Sequence, residues 1–184
     1  MSAEPKPRMS VDEFLAWAED RPGRYELRNG RVVGMSLERA RHADVKFAVQ
    51  AALKAAIRRD GLPGRMLPDG MTVRIDQDTA YEPDALVYCG PRLDPGAVEV
   101  PNPVVLVEVL SPSTRGVDSG EKFSGYFRLP SVQHYLLVDP ERRVVVHHRR
   151  GDGDLILSRI VSEGTLTLDP PGLGLALAEL FEDL

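Results

Sequence analysis

A chain of 184 residues, 42% hydrophobic and 28% charged, has the composition of one well-cored globular domain. Its only cysteine, Cys89, excludes an intramolecular disulfide and a multi-cysteine zinc site and fits a reducing, cytoplasmic compartment; no N-terminal stretch has the length and apolarity of a signal peptide or membrane span. The formal net charge of −5 weighs against a broad basic surface for phosphate backbones and leaves room for local clusters.

Residues 1–9 are polar and proline-rich, expected as a disordered leader before a single domain over 10–184. Ser10 and Glu13 have capping-box spacing and Phe14 and Trp17 make an apolar stripe, predicting a short helix to about Glu19 that Arg21-Pro22-Gly23 ends. Asn29-Gly30, whose turn needs two positive φ values, joins strands at Tyr25 to Arg28 and Arg31 to Met35. From Glu38 to Arg59, Val45, Val49, Ala52, Leu53, Ala56 and Ile57 recur at threes and fours, the pattern of a long amphipathic helix stopped near Gly61. The basic residues along it, Arg39, Arg41, Lys46, Lys54, Arg58 and Arg59, read as a solvated face.

Strands follow at Arg65 to Leu67, Met71 to Ile75 and Ala85 to Tyr88, then a Pro/Gly loop from Gly90 to Pro103. Val104 to Leu110 is a nearly continuous apolar run, the signature of a strand buried on both faces. Ser111 to Thr114 turns the chain, Asp118 caps a helix with Phe123, Tyr126 and Phe127 inward, and Pro130 ends it. Gln133 to Val138, Arg142 to His148 and Asp154 to Val161 read as strands, with His147-His148 as a strand pair and a closing helix over Leu175 to Phe181. Strands interleaved with three or four helices, and no repeat, imply an α/β or α+β fold: a mixed central β-sheet flanked by helices.

Asp84 follows Pro83 at a strand start, Glu108 closes the apolar run, Glu26 lies on a hairpin strand and Lys122 at a helix start. An ionised carboxylate at a core strand costs several kcal/mol or more unless paired, and a divalent cation is the simplest partner for two. Asp84, Glu108 and the backbone carbonyl of Val109 are an oxygen donor set suited to Mg²⁺ or Mn²⁺. Lys122 would position or activate a water and stabilise charge on a phosphate, and Glu26 would hold a second metal or a metal-bound water. His42, at the start of the long helix, is a candidate substrate-binding residue beside a capping or packing role. No serine or cysteine nucleophile motif and no glycine-rich phosphate loop occurs.

These residues resemble the Uma-type restriction endonuclease family, a bacterial group within the PD-(D/E)XK nuclease-like superfamily. The resemblance spans nearly the whole chain: Tyr25-Glu26-Leu27 with Gly30, His42, Pro83-Asp84, Glu108-Val109-Leu110-Ser111-Pro112-Ser113-Thr114, Asp118, Lys122, Tyr126, and Tyr135 before Val138-Asp139-Pro140. It implies a restriction-endonuclease-like core and metal-dependent hydrolysis of DNA phosphodiester bonds. The wider superfamily has a lysine two residues after the second acid, where this chain has Leu110; Lys122 matches the relocated lysine of the Uma-type pattern. Two strands to cut would suit a homodimer. A non-catalytic module binding nucleic acid or protein, and a metal-dependent phosphoesterase acting on RNA or nucleotides, are the competing readings.

Overall fold

A computed structural model describes residues 8–111, 116, 118–182 and 184. Residues 1–7, Pro112, Ser113, Thr114 and the side chain of Asp118 fall outside that description, and with them most of the expected leader, the Ser111 to Thr114 turn and the Asp118 cap. Met9 is part of the fold, its N–H donating to Gly30 O at 2.9 Å.

Helix α1 (Val11–Glu19) begins with the expected capping box: Ser10 N–H donates to Glu13 Oε2 at 2.7 Å and Glu13 N–H to Ser10 Oγ at 3.3 Å. It buries Val11 and Phe14 against Leu27 and Ala80. Strands β1 (Tyr25–Arg28) and β2 (Arg31–Gly34) pair through Asn29 and Gly30 at φ of 49° and 74°. A Cβ on Gly30 would stand 2.7 Å from Arg8 Cβ, so glycine is needed for space as well as for φ.

The large sheet is built from β3 (Gly64–Pro68), β6 (Ala85–Cys89), β7 (Pro103–Val109), β8 (His134–Asp139), β9 (Val144–Arg150) and β10 (Ile156–Val161). Its order is β10-β9-β8-β7-β6-β3, with β7 and β8 parallel and the other pairs antiparallel. Alternate residues of β7 feed two cores. Val105, Val107 and Val109 meet Val45, Val49 and Leu53 of helix α2 (Ala40–Arg59), while Leu106 meets Tyr126, Tyr135 and Leu137 on the other face. Burial on both faces is why the strand is apolar apart from Glu108, at about 1.5–3 kcal/mol for each large aliphatic side chain.

Met71 to Ile75 does not form a full strand. Only β4 (Val73–Arg74) forms, and it pairs with β5 (Ala80–Tyr81) in a smaller sheet of order β2-β1-β5-β4, so Pro68-Asp69-Gly70 carries the chain between sheets. The expected closing helix over Leu175 to Phe181 is corrected likewise. Thr165–Leu168 (β11) and Leu173–Ala176 (β12) form a hairpin, because Leu166, Leu168, Leu173 and Leu175 alternate into the core with strand periodicity; only Leu177–Leu180 (α4) is helical. The helix expected up to Pro130 is a π-helical turn over Asp118–Lys122 followed by α3 (Phe123–Tyr126).

Candidate active site

Pro83 ends the link from β5, and β6 then runs antiparallel to β7 with Ala85 opposite Val107. That register sets Asp84 against the end of β7: Asp84 N–H donates to Val107 O at 3.0 Å, and Val109 N–H donates to Asp84 Oδ2 at 2.7 Å. Glu108 lies between those two β7 residues, and both carboxylates are buried. The turn before α3 brings Lys122 back over β7, where its Nζ lies 2.8 Å from Glu108 Oε1 and 2.8 Å from Glu26 Oε1. Tyr126, one turn later and fully buried, donates to the same Glu108 oxygen at 2.9 Å.

Glu26 is 1% exposed, so its strand turns the charge inward. Arg28 Nη2 donates to Glu26 Oε2 at 2.6 Å and Glu82 N–H to Oε1 at 3.2 Å. Burial pushes the Glu26 carboxyl up, but Lys122 and Arg28 outweigh it and hold the group below the ordinary carboxylate range. Asp84 shows the opposite balance: burial pushes its carboxyl up, more than the Val109 N–H and the surrounding cations bring it down. Among the described residues no lysine or arginine lies within 4 Å of the Asp84 carboxylate, whose nearest nitrogen-bearing side chain is His42, with Nε2 at 3.7 Å.

All five predicted side chains, Glu26, His42, Asp84, Glu108 and Lys122, line one cleft of about 730 Å³ together with Val109. His42 Nε2 is 2.8 Å from Val109 O, so the carbonyl expected to face a metal already accepts a hydrogen bond from the imidazole. A carbonyl oxygen has a second lone pair, and this contact leaves that donor available. The donor set, two buried carboxylates and a carbonyl at the end of one strand pair, fits a hard divalent cation, and the missing fixed cation beside Asp84 is what such an ion would supply.

The sequence reading missed a second group of charges, which reaches the same cleft through Arg24 and Glu38. Arg24 pairs with Asp69 at 2.7 Å and with Glu82, and Lys46 pairs with Asp69 at 2.9 Å and with Glu38. Lys46 is therefore buried among acids and does not belong to the solvated face, whereas Arg39 and Arg41 line the cleft mouth and Lys54 and Arg58 are exposed as expected. The available signal was the four-residue spacing of Glu38 and His42 where a helix begins; Glu38 lies just before the Arg39 N-cap and His42 in the first turn, 3.5 Å apart.

A model of the Uma2 family, described as "Putative restriction endonuclease", matches residues 11–179. The chain belongs to the Uma2 family. Among curated relatives, an uncharacterized protein of Synechocystis sp., slr1290, is 29% identical over 182 residues, covering 98% of this chain and 95% of the relative. A second uncharacterized Synechocystis protein, sll1609, is 27% identical over 158 residues, covering 84% and 89%. The Uma2 fold here matches the crystal structure of a protein from Anabaena variabilis, described as a putative nuclease belonging to DUF820, with a TM-score of 0.73 and 17% identity over 95% of this chain and 98% of that one. The fold is thus nuclease-like, a mixed sheet flanked by helices.

Proposed function

We propose that this chain is a Mg²⁺- or Mn²⁺-dependent endonuclease that hydrolyses DNA phosphodiester bonds in the cleft, and that it works as a cytoplasmic homodimer. The observation that carries the reading is the meeting of Asp84 and Glu108 on adjacent strands with Lys122 bridging Glu108 and Glu26. A divalent ion held by Asp84, Glu108 and the Val109 carbonyl would act as a Lewis acid on a phosphate oxygen and lower the pKa of a bound water.

The protein's own groups have separable roles. Lys122, fixed by two carboxylates at 2.8 Å, places positive charge beside the reacting phosphate without needing to reorganise. Glu26 and Tyr126 hold that geometry, one from the hairpin and one from α3. Arg39 and Arg41 on the cleft, and Arg8 and Arg31 in an adjoining hollow that Arg28 shares with it, offer a basic track for a phosphate backbone despite the negative net charge. The family description and the nuclease-like fold support the same reaction class.

The deciding experiment is cleavage of supercoiled plasmid and of a labelled single strand with Mg²⁺, Mn²⁺ or EDTA, comparing wild type with Glu108→Gln. Metal-dependent cleavage that disappears in the variant is the expected result. An equally active Glu108→Gln protein would overturn the assignment. Metal binding without DNA cleavage, but with turnover of RNA or a nucleotide, would move the substrate to another phosphoester; neither metal binding nor cleavage would make the chain a binding module.

A further inference from the structure

The start of α2 adds donors to the cleft that differ in kind from the strand carboxylates. One ligand atom from each of Glu38, His42 and Asp84 can be chosen so that all lie within 4.8 Å of one another. Two donors about 2.2 Å from the same ion are at most about 4.4 Å apart, so a small closing of these side chains suffices.

The hydrogen bond of His42 decides which nitrogen is open. Val109 O can only accept, so Nε2 carries a hydrogen at 2.8 Å, and in the neutral ring Nδ1 is then the nitrogen with the lone pair. Nδ1 is buried, has no hydrogen-bond partner, and lies 3.5 Å from Glu38 Oε1, an oxygen that also accepts from Lys46 Nζ, so with the neutral ring two acceptors face each other. A cation between them replaces that repulsion with attraction. An imidazole that donates its other N–H to a backbone carbonyl is also how metal-ligating histidines are usually oriented.

Charge gives an independent argument. Glu38, Asp69 and Glu82 are tied by ion pairs to Arg24 and Lys46, and Asp84 joins them through His42. Four carboxylates against two permanent cations leave two negative charges, the complement of one divalent ion.

We propose that Glu38, His42 and Asp84 form a mixed nitrogen and oxygen site for the cleft's cation, which selects a first-row transition-metal dication over Mg²⁺. The inference rests on the metal-dependent reading above and deepens it: Asp84 belongs to both donor sets, and His42 is a metal ligand instead of a substrate contact. Imidazole suits Fe²⁺, Ni²⁺, Cu²⁺ and Zn²⁺ and is tolerated by Mn²⁺, the most oxygen-preferring of the series, whereas Mg²⁺ demands near-ideal oxygen octahedra and keeps its waters.

The test uses the full chain and Mn²⁺ as a paramagnetic probe. Pulsed EPR of bound Mn²⁺ should show nitrogen modulation that changes on ¹⁵N-histidine labelling; His42 is the one histidine among the cleft-lining residues. His42→Ala, checked for folding by circular dichroism in EDTA, should lose the modulation and about tenfold or more in Mn²⁺ affinity, with Mg²⁺ affinity changed less than about threefold, the difference expected when one nitrogen ligand is removed. Mn²⁺ bound without nitrogen modulation, modulation surviving His42→Ala, or equal losses for the two metals would overturn the proposal and leave the metal-dependent reading standing. Failure of the wild type to bind either metal would overturn both. The wild-type isotope comparison decides the matter even if His42→Ala does not fold.

Discussion

Asp84 and Glu26 are both buried carboxylates, yet they titrate in opposite directions, and that difference predicts how each responds to replacement. An acid whose folded pKa is raised binds its proton more tightly when folded. Stability is therefore lost as pH climbs from the ordinary Asp value of 3.8 towards the folded value, and Asp84 is a cost at neutral pH. Asp84→Asn keeps an acceptor for the Val109 N–H and removes the charge, so thermal melts in EDTA at pH 7.5 should show a gain of about 0.5–2 kcal/mol that shrinks towards pH 4. Glu26, held low by Lys122 and Arg28, stabilises above the ordinary Glu value of 4.5 and loses that contribution as pH falls through its lower folded value. Tyr126→Phe removes a buried donor to Glu108 and should cost about 1.5–3 kcal/mol in urea unfolding, the range for hydrogen bonds to charged groups. At this scale much was legible: a charge closing an apolar strand marked Glu108, and Pro83 before Asp84 marked the neighbouring strand start. Glu82, Asp69 and Arg24 were not legible, because nothing local distinguishes an exposed charged residue from one that a distant ion pair draws under the surface.

Element identity followed periodicity wherever one side of the chain was solvated, as in α1, α2 and the β1–β2 hairpin. It failed at Leu173 to Leu175, where a short Leu-x-Leu run fits a strand or a helix and only the packing of β11 and β12 with α2 decides. The site helix was also overextended, since glycines at 116, 120 and 125 weaken a helix whose start the capping spacing had suggested. Gly125 carries a specific constraint: a Cβ there would stand 2.7 Å from Tyr81 Cε2, beside the ring that packs edge-on against Tyr126 at 5.4 Å. Gly125→Ala should therefore cost about 1–3 kcal/mol in urea unfolding and depress cleavage by displacing α3 and with it Lys122. Strands β8 and β9 carry a second element-scale property. His134 Nδ1 and His147 Nε2 lie 2.8 Å apart, and burial pushes the two imidazoles down to about 4 and about 3 from 6.5. Bases lowered in this way are protonated first in the unfolded chain, so stability falls as pH drops below 6.5 and continues to fall to about 3, the lower of the two folded values. The unfolding free energy from urea titrations should decline steeply over that window, by roughly a few kcal/mol in all, and His134→Phe with His147→Leu should flatten the decline.

For the molecule as a whole, the proposed ion would link binding to folding. A cation that binds the folded chain at a hundred times its dissociation constant adds about 2.7 kcal/mol, a rise of roughly 5–10 °C in Tm for a protein of this size. Differential scanning fluorimetry with Mn²⁺ should show that rise in the wild type and not in Asp84→Ala; the same shift in both would place the ion elsewhere. The architecture was legible as a mixed sheet flanked by helices, but the division into a six-stranded and a four-stranded sheet was not, because pairing partners distant in sequence leave no local signature. That division has a consequence for the life of the chain. Glu26 is supplied by the four-stranded sheet near the N-terminus, Glu108 by the centre of the six-stranded one, and Lys122 by a turn beyond it. None of these positions comes together until both sheets have assembled and docked, so a nascent or partly unfolded polypeptide holds the proposed reactive groups in scattered pieces. On the proposed nuclease reading, latency is built into the topology: a chain still emerging from the ribosome would be harmless to the nucleic acid around it.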